Sequence, residues 1–244
     1  MERPTPCTPP LSKRAVPTPR ATRGTRVLLS DGEERERAVS ALAPTAQLAR
    51  VEVISVERIE NSMLRQVYDA KLEEIASANH APIEESERDW VFYSVDESMA
   101  KQIIDYGFTK SCKGGAPLPF GQGIYFAASA ISAADPERAS SCPASTIVAE
   151  PNAEGLRHVF LVRAAIGQYC VGSSGAPTPD ARPDGRPYDS TVDDMSDPSM
   201  FVTYGNAQQF PEDLIRFKLQ PAQVETLNGS DARHEREGAP CVLQ

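Results

Sequence analysis

The chain has 244 residues, 40% hydrophobic and 24% charged, which suits one full-sized domain with tails and is short for two. No stretch reaches about 18 uninterrupted apolar residues, so none reads as a membrane-spanning helix. The net charge of −9 is uneven: residues 1–30 hold six basic groups and one acid, leaving −14 on the rest, and so acidic a body gives no electrostatic reason to expect nucleic-acid binding.

Residues 1–26 are rich in Pro, Thr and Arg, a composition that cannot hold a helix or bury apolar surface, and they are expected to be a disordered basic tail. A short helix is predicted across Glu33–Ala43. Val51–Val56 alternates apolar with polar and predicts a half-buried strand. Ile59, Met63, Leu64, Val67, Tyr68, Leu72 and Ile75 recur at helical spacing and predict an amphipathic helix ending near Ala78. Trp90–Val95 reads as a second strand, after which Asp96 can cap a helix that Gly107 stops. Lys113–Pro119 is a loop leading into a turn and strand over Gly121–Ala127, and Ser129–Ala139 reads as a short helix. His158–Ile166 is too apolar for an exposed edge and predicts a central strand. Gly172–Pro187 is a Gly/Pro/Asp loop, Met200–Tyr204 and Leu214–Leu219 are closing strands, and residues 221–244 form a polar tail. Short strands mixed with few helices suggest an α+β domain built on antiparallel sheet.

Five cysteines without C-x-x-C spacing and three scattered histidines give no sequence-local metal site. The odd cysteine count fits a reducing, intracellular location, cytoplasmic or nuclear. The last four residues, Cys241-Val242-Leu243-Gln244, form a C-a-a-X box, which makes Cys241 a candidate for farnesylation and for weak membrane association through a single lipid.

Phe120-Gly121-Gln122-Gly123-Ile124-Tyr125-Phe126-Ala127, read with Tyr188-Asp189-Ser190, Phe201-Val202 and Phe210–Ile215, resembles the catalytic domain of the poly(ADP-ribose) polymerase family. Arg58-Ile59-Glu60-Asn61 with Leu64, Tyr68 and Lys71 matches that family's opening helix, and Phe160-Leu161-Val162-Arg163 matches the strand before Tyr188. The resemblance spans Val51 to Leu219. It implies an ADP-ribosyltransferase fold over residues 27–220, with antiparallel split β-sheets and flanking helices. It also implies NAD+ as substrate, a protein acceptor and no metal.

The resemblance places a His, a Tyr and usually a Glu in one cleft. Only Tyr125 stands where that pattern wants it. The His position reads Tyr93 and the Glu position reads Met200. An apolar residue in place of the Glu is the mono-transferring pattern. Tyr93 is larger than imidazole and would intrude where the adenosine end of NAD+ should lie. Ser94 replaces a Gly whose backbone would meet the carboxamide, Gly123 belongs to the turn before Tyr125, and Ser132 is the candidate to hydrogen-bond the carboxamide. No aromatic residue between Phe126 and Phe160 offers a second stacking ring. Two readings stand at this point: an impaired enzyme that acts by binding, and a live mono-ADP-ribosyltransferase. A prenylated, membrane-tethered adaptor is compatible with either.

Overall fold

The computed structural model describes residues 23–42, 51–110, 117–130 and 151–220. It opens with a short strand the sequence did not signal, β1 (Thr25–Leu28), which pairs antiparallel with the far end of β2 (Val51–Glu60). Helix α1 (Glu33–Leu42) follows the predicted span and sets Ala38 and Leu42 on the sheet beside Val56 and Ile215.

Strand β2 runs past Val56 to Glu60, and this corrects one expectation. Arg58, Ile59 and Glu60 are strand residues in register with β1, and no part of an opening helix. The helix that follows, α2 (Ser62–Asn79), starts where Asn61 accepts the Leu64 N–H at 3.2 Å. A short polar side chain satisfies an orphan donor there. The same side chain donates to the Ile104 carbonyl at 2.9 Å and so joins the helix to its neighbour. Along α2 the core face is Tyr68, Leu72 and Ile75, whereas Met63 and Val67 face solvent.

A single turn, α3 (Ile83–Ser86), leads into β3 (Glu87–Val95), which bulges between Arg88 and Val91. In that bulge Trp90 adopts φ +56°, a conformation a bulky residue holds only when its surroundings fix it. Helix α4 (Glu97–Tyr106) has the predicted signals: Asp96 accepts the Met99 N–H at 2.7 Å, and Gly107 ends the helix at φ +79°.

Then come β4 (Ile124–Ala127), β5 (Arg157–Ala165), β6 (Tyr169–Val171), β7 (Ser190–Val192), β8 (Met200–Thr203) and β9 (Gln209–Leu219). Among the described residues these form one open sheet in the order β1-β2-β9-β5-β3-β4-β8-β7-β6. All pairings are antiparallel except β6 with β7. The fold is α+β as expected, but hydrogen bonding makes one sheet where split sheets were anticipated. The split survives as a weak joint, because β3 and β4 share only the pair Phe92↔Ala127.

Strand β5 is central, between β9 and β3, and it is apolar on both faces because both faces are covered. Phe160 and Val162 meet Ile103, Ile104 and Phe108 on one side, while Val159 and Leu161 meet α1 on the other. The expected helix over 129–139 lies almost wholly outside the described residues.

Candidate functional site

Tyr125 sits on β4, whose four residues are all buried. Strand alternation sends Ile124 and Phe126 into the core with Phe108 and Phe160 and turns Tyr125 to the opposite face. The register with β8 sets Tyr125 opposite Val202 and Ala127 opposite Met200. Gly123, just before the strand, permits this closeness: a Cβ there would lie 2.4 Å from Val202 Cγ1 and 2.5 Å from the Thr203 carbonyl oxygen. Its need for glycine is thus explained by packing of β4 on β8.

The Tyr125 hydroxyl is tied to its own turn. It donates to the Gly121 carbonyl at 2.7 Å and accepts the Phe120 N–H at 3.0 Å. With the residue 4% exposed, this tyrosine is an internal strut for the turn and has little open ring surface.

Tyr93 sits on β3 one residue beyond the single β3–β4 pair. Past that pair no further β3–β4 register is made. The partly buried Tyr93 ring packs between the aromatic core and the Tyr125–Met200–Val202 cluster. Its ring meets Phe108 edge-to-face at 5.2 Å and Phe126 at 5.6 Å, and Phe108 in turn contacts Phe126 and Phe160. Burial pushes the Tyr93 hydroxyl above the usual phenol range, so it stays protonated and is a neutral donor at best. Ser94 points its buried hydroxyl at the His158 carbonyl, 3.3 Å away on β5.

Met200 is 1% exposed, and its N–H donates to Asp193 Oδ1 at 3.0 Å. Asp193 also accepts from the Ser199 N–H at 3.0 Å and so closes the loop ahead of β8.

The three positions implied by the resemblance therefore converge. Tyr125, Met200 and Val202 form one buried apolar cluster, and Tyr93 packs against it. Leu118, Phe120 and Tyr204 pack there too, partly exposed; Phe120 heads the motif that carries the resemblance, whereas Leu118 and Tyr204 were not among the expected site residues. No linear signal marks Tyr204, because it reaches the cluster only through the β4–β8 pairing. Its hydroxyl donates to the Phe120 carbonyl at 3.1 Å and lies 3.1 Å from Thr191 Oγ1, so it too braces the turn. Ser132 and Cys241 lie outside the described residues. Among the described residues no group of three or more His, Cys, Asp or Glu is arranged to hold a metal ion, and no helix is long and apolar enough to cross a membrane.

No protein-family model matches the chain. Protein mono-ADP-ribosyltransferase PARP10 of Mus musculus is 31% identical over 172 residues, covering 69% of this chain and 16% of the relative. The chain carries a domain homologous to mono-ADP-ribosyltransferases. Protein mono-ADP-ribosyltransferase PARP14 of Homo sapiens is 28% identical over 194 residues, 78% of this chain and 10% of the relative. Protein mono-ADP-ribosyltransferase PARP12 of Mus musculus is 26% identical over 168 residues, 68% of this chain and 21% of the relative. The chain thus spans at most about a fifth of the length of these relatives. The open, mixed sheet of this domain agrees with the α+β ADP-ribosyltransferase fold that such relatives imply.

Proposed function

We propose that this domain keeps an ADP-ribosyltransferase fold with impaired NAD+ chemistry and acts as a protein-binding module. The observation that carries the reading is the packing of the Tyr93 ring on Phe108 and Phe126. The commitment of the Tyr125 hydroxyl to Phe120 and Gly121 supports it. A dinucleotide held as the resemblance implies needs Tyr93 to act as a positioning donor and Tyr125 to offer its ring. These residues do not fit that arrangement. Misplacing a positioning group by about 1 Å costs on the order of 10²-fold in rate, so two compromised positions are enough to silence the chemistry. At the third position the buried Met200 offers no carboxylate.

A second reading, an active mono-ADP-ribosyltransferase, is supported by the convergence of Tyr93, Tyr125 and Met200 in one cluster with the partly exposed Phe120 and Tyr204. The relatives' names favour it as well. In that reading Tyr125 is the platform, and the Ser94 backbone with Ser132 holds the carboxamide. Incubating the full chain with NAD+ labelled in its adenosine half, while following nicotinamide release and label transfer, separates the two. The first reading predicts release at the rate of buffer alone and an unlabelled chain. Release above that rate, with label on the chain or an added acceptor, would install the second.

A further inference from the structure

The loop over residues 172–187 carries an arginine that no catalytic pattern singled out. Arg182 is 8% exposed, and four of its five guanidinium N–H groups are hydrogen-bonded. Its Nε donates to the Pro187 carbonyl at 2.9 Å. Nη1 donates to Asn79 Oδ1 at 2.5 Å and to Gln168 Oε1 at 3.1 Å, and Nη2 to Asp189 Oδ2 at 3.3 Å. That carboxylate oxygen also accepts from Asn79 Nδ2 at 2.8 Å and from the Gln168 N–H at 2.9 Å. One buried cation thereby knots the base of the loop to the C-terminal end of α2 and to the segment after β5. Arg186 adds a bond to the Ala78 carbonyl at the same helix end.

The far side of this loop is docked on the turn before β4. Gly175 N–H donates to the Leu118 carbonyl at 2.8 Å, and Gln122 N–H donates to the Ala176 carbonyl at 2.7 Å. Gln122 Nε2 reaches the Gly175 carbonyl at 3.0 Å. At the start of the loop a Cβ on Gly172 would fall 2.2 Å from the Phe120 carbonyl oxygen, so the two backbones are in direct contact. Leu118–Gln122 is the same turn whose Phe120 N–H and Gly121 carbonyl hold the Tyr125 hydroxyl.

We propose that Arg182 is a positioning residue: by locking loop 172–187 onto α2 it holds the turn 118–122 in place and thereby sets the Tyr125 side of the candidate site. The importance of this coupling for a ligand rests on the reading that the Tyr93–Tyr125–Met200 cluster is the site. The coupling itself does not. A fork-shaped guanidinium is needed, because its partners lie in different directions and an ammonium can satisfy only some of them from one place. Asn79, Gln168 and Asp189 come from three separate segments, so the knot transmits position across the fold without touching the cluster.

Hydrogen exchange on the full chain, read by mass over residues 117–128, 157–166 and 178–190, tests this. Arg182→Ala is expected to speed exchange over 117–128 by at least about tenfold while β5, over 157–166, keeps its protection. Asn79→Ala, which cuts the knot from the helix side and keeps Arg182, is expected to act in the same direction and more weakly. Arg182→Lys should restore part of the protection. A rise confined to 178–190 would overturn the proposal, as would an equal rise in β5 and the turn, which is plain loss of stability. NAD+ titration of Tyr93→His with and without Arg182→Ala then addresses the site. Weaker binding in the double variant by at least about tenfold is the expected result. Equal binding by the two would remove the link to the ligand. If Tyr93→His binds no NAD+, the site reading fails, and exchange alone decides the role of Arg182.

Discussion

Asp213 shows what one residue can impose on this fold. It lies on β9 beneath α1, 2% exposed, with Oδ1 lacking a hydrogen bond to any described residue. Burial, reinforced by the negative charges of Glu212 and Glu34, pushes its carboxyl up to about 7, against the pull of Arg37 and Arg58. A carboxyl whose folded pKa exceeds its unfolded value binds its proton more tightly in the native state. Its contribution to stability is complete below about pH 4 and is lost as the pH rises to about 7, beyond which the loss is constant. Asp213→Asn removes this slope. It is expected to leave stability near that of wild type at pH 3–4 and to raise it by on the order of 2–4 kcal/mol at pH 8. Urea unfolding of both proteins at several pH values checks this, and parallel pH profiles would refute it. Tyr93 is the same lesson in a neutral group: aromatic contacts settle a position that the family pattern reserves for a polar one.

Among the elements, the three middle strands are joined by charge as well as by backbone. Arg163 on β5 donates to Glu212 on β9 at 2.9 Å and to Glu87 on β3 at 3.2 Å, and it lies 3.3 Å from Asp89. Burial works against this guanidinium, but the surrounding carboxylates outweigh it and raise its pKa. The Tyr68 hydroxyl donates to Glu87 at 2.6 Å, which brings α2 into the same network, and Trp90 Nε1 donates to Glu212 at 3.3 Å. With Arg37 stacked on its ring at 5.4 Å, Trp90 is held from two sides in its positive-φ conformation. Arg163→Ala would take the ion-pair partner from Glu87 and leave Glu212 with only the longer contact to Arg37 at 3.8 Å. The expected cost is about 2–3 kcal/mol, below that of a fully buried pair because the arginine side chain is 21% exposed. A lower urea midpoint with an unchanged slope would register it, whereas an unchanged midpoint would show the network to be neutral.

Across the whole molecule, the sequence was most legible where the determinants are local. The caps of α4, the apolar run of β5 and the turn into β4 each carry their signal within a few residues. β1, β6 and β7 went unseen because, unlike the equally short β4 and β8, none of them holds a run of buried apolar residues. Arg58–Glu60 was misplaced because an apolar residue at helical spacing, Ile59, belongs instead to the end of a strand. The convergence of Tyr93, Tyr125 and Met200 followed from ordered landmarks. Tyr204 did not, since the β4–β8 register brings it to the turn, and Arg182 did not, since its partner Asn79 is 103 residues away. On the proposed reading, the Tyr93 ring packed on Phe108 and Phe126 bars NAD+. Calorimetric titration of the full chain with NAD+, beside the Tyr93→His variant, tests it most directly. No heat of binding is expected for the wild type up to millimolar NAD+, and measurable binding is expected for the variant. Wild-type binding as tight as the variant's would contradict it.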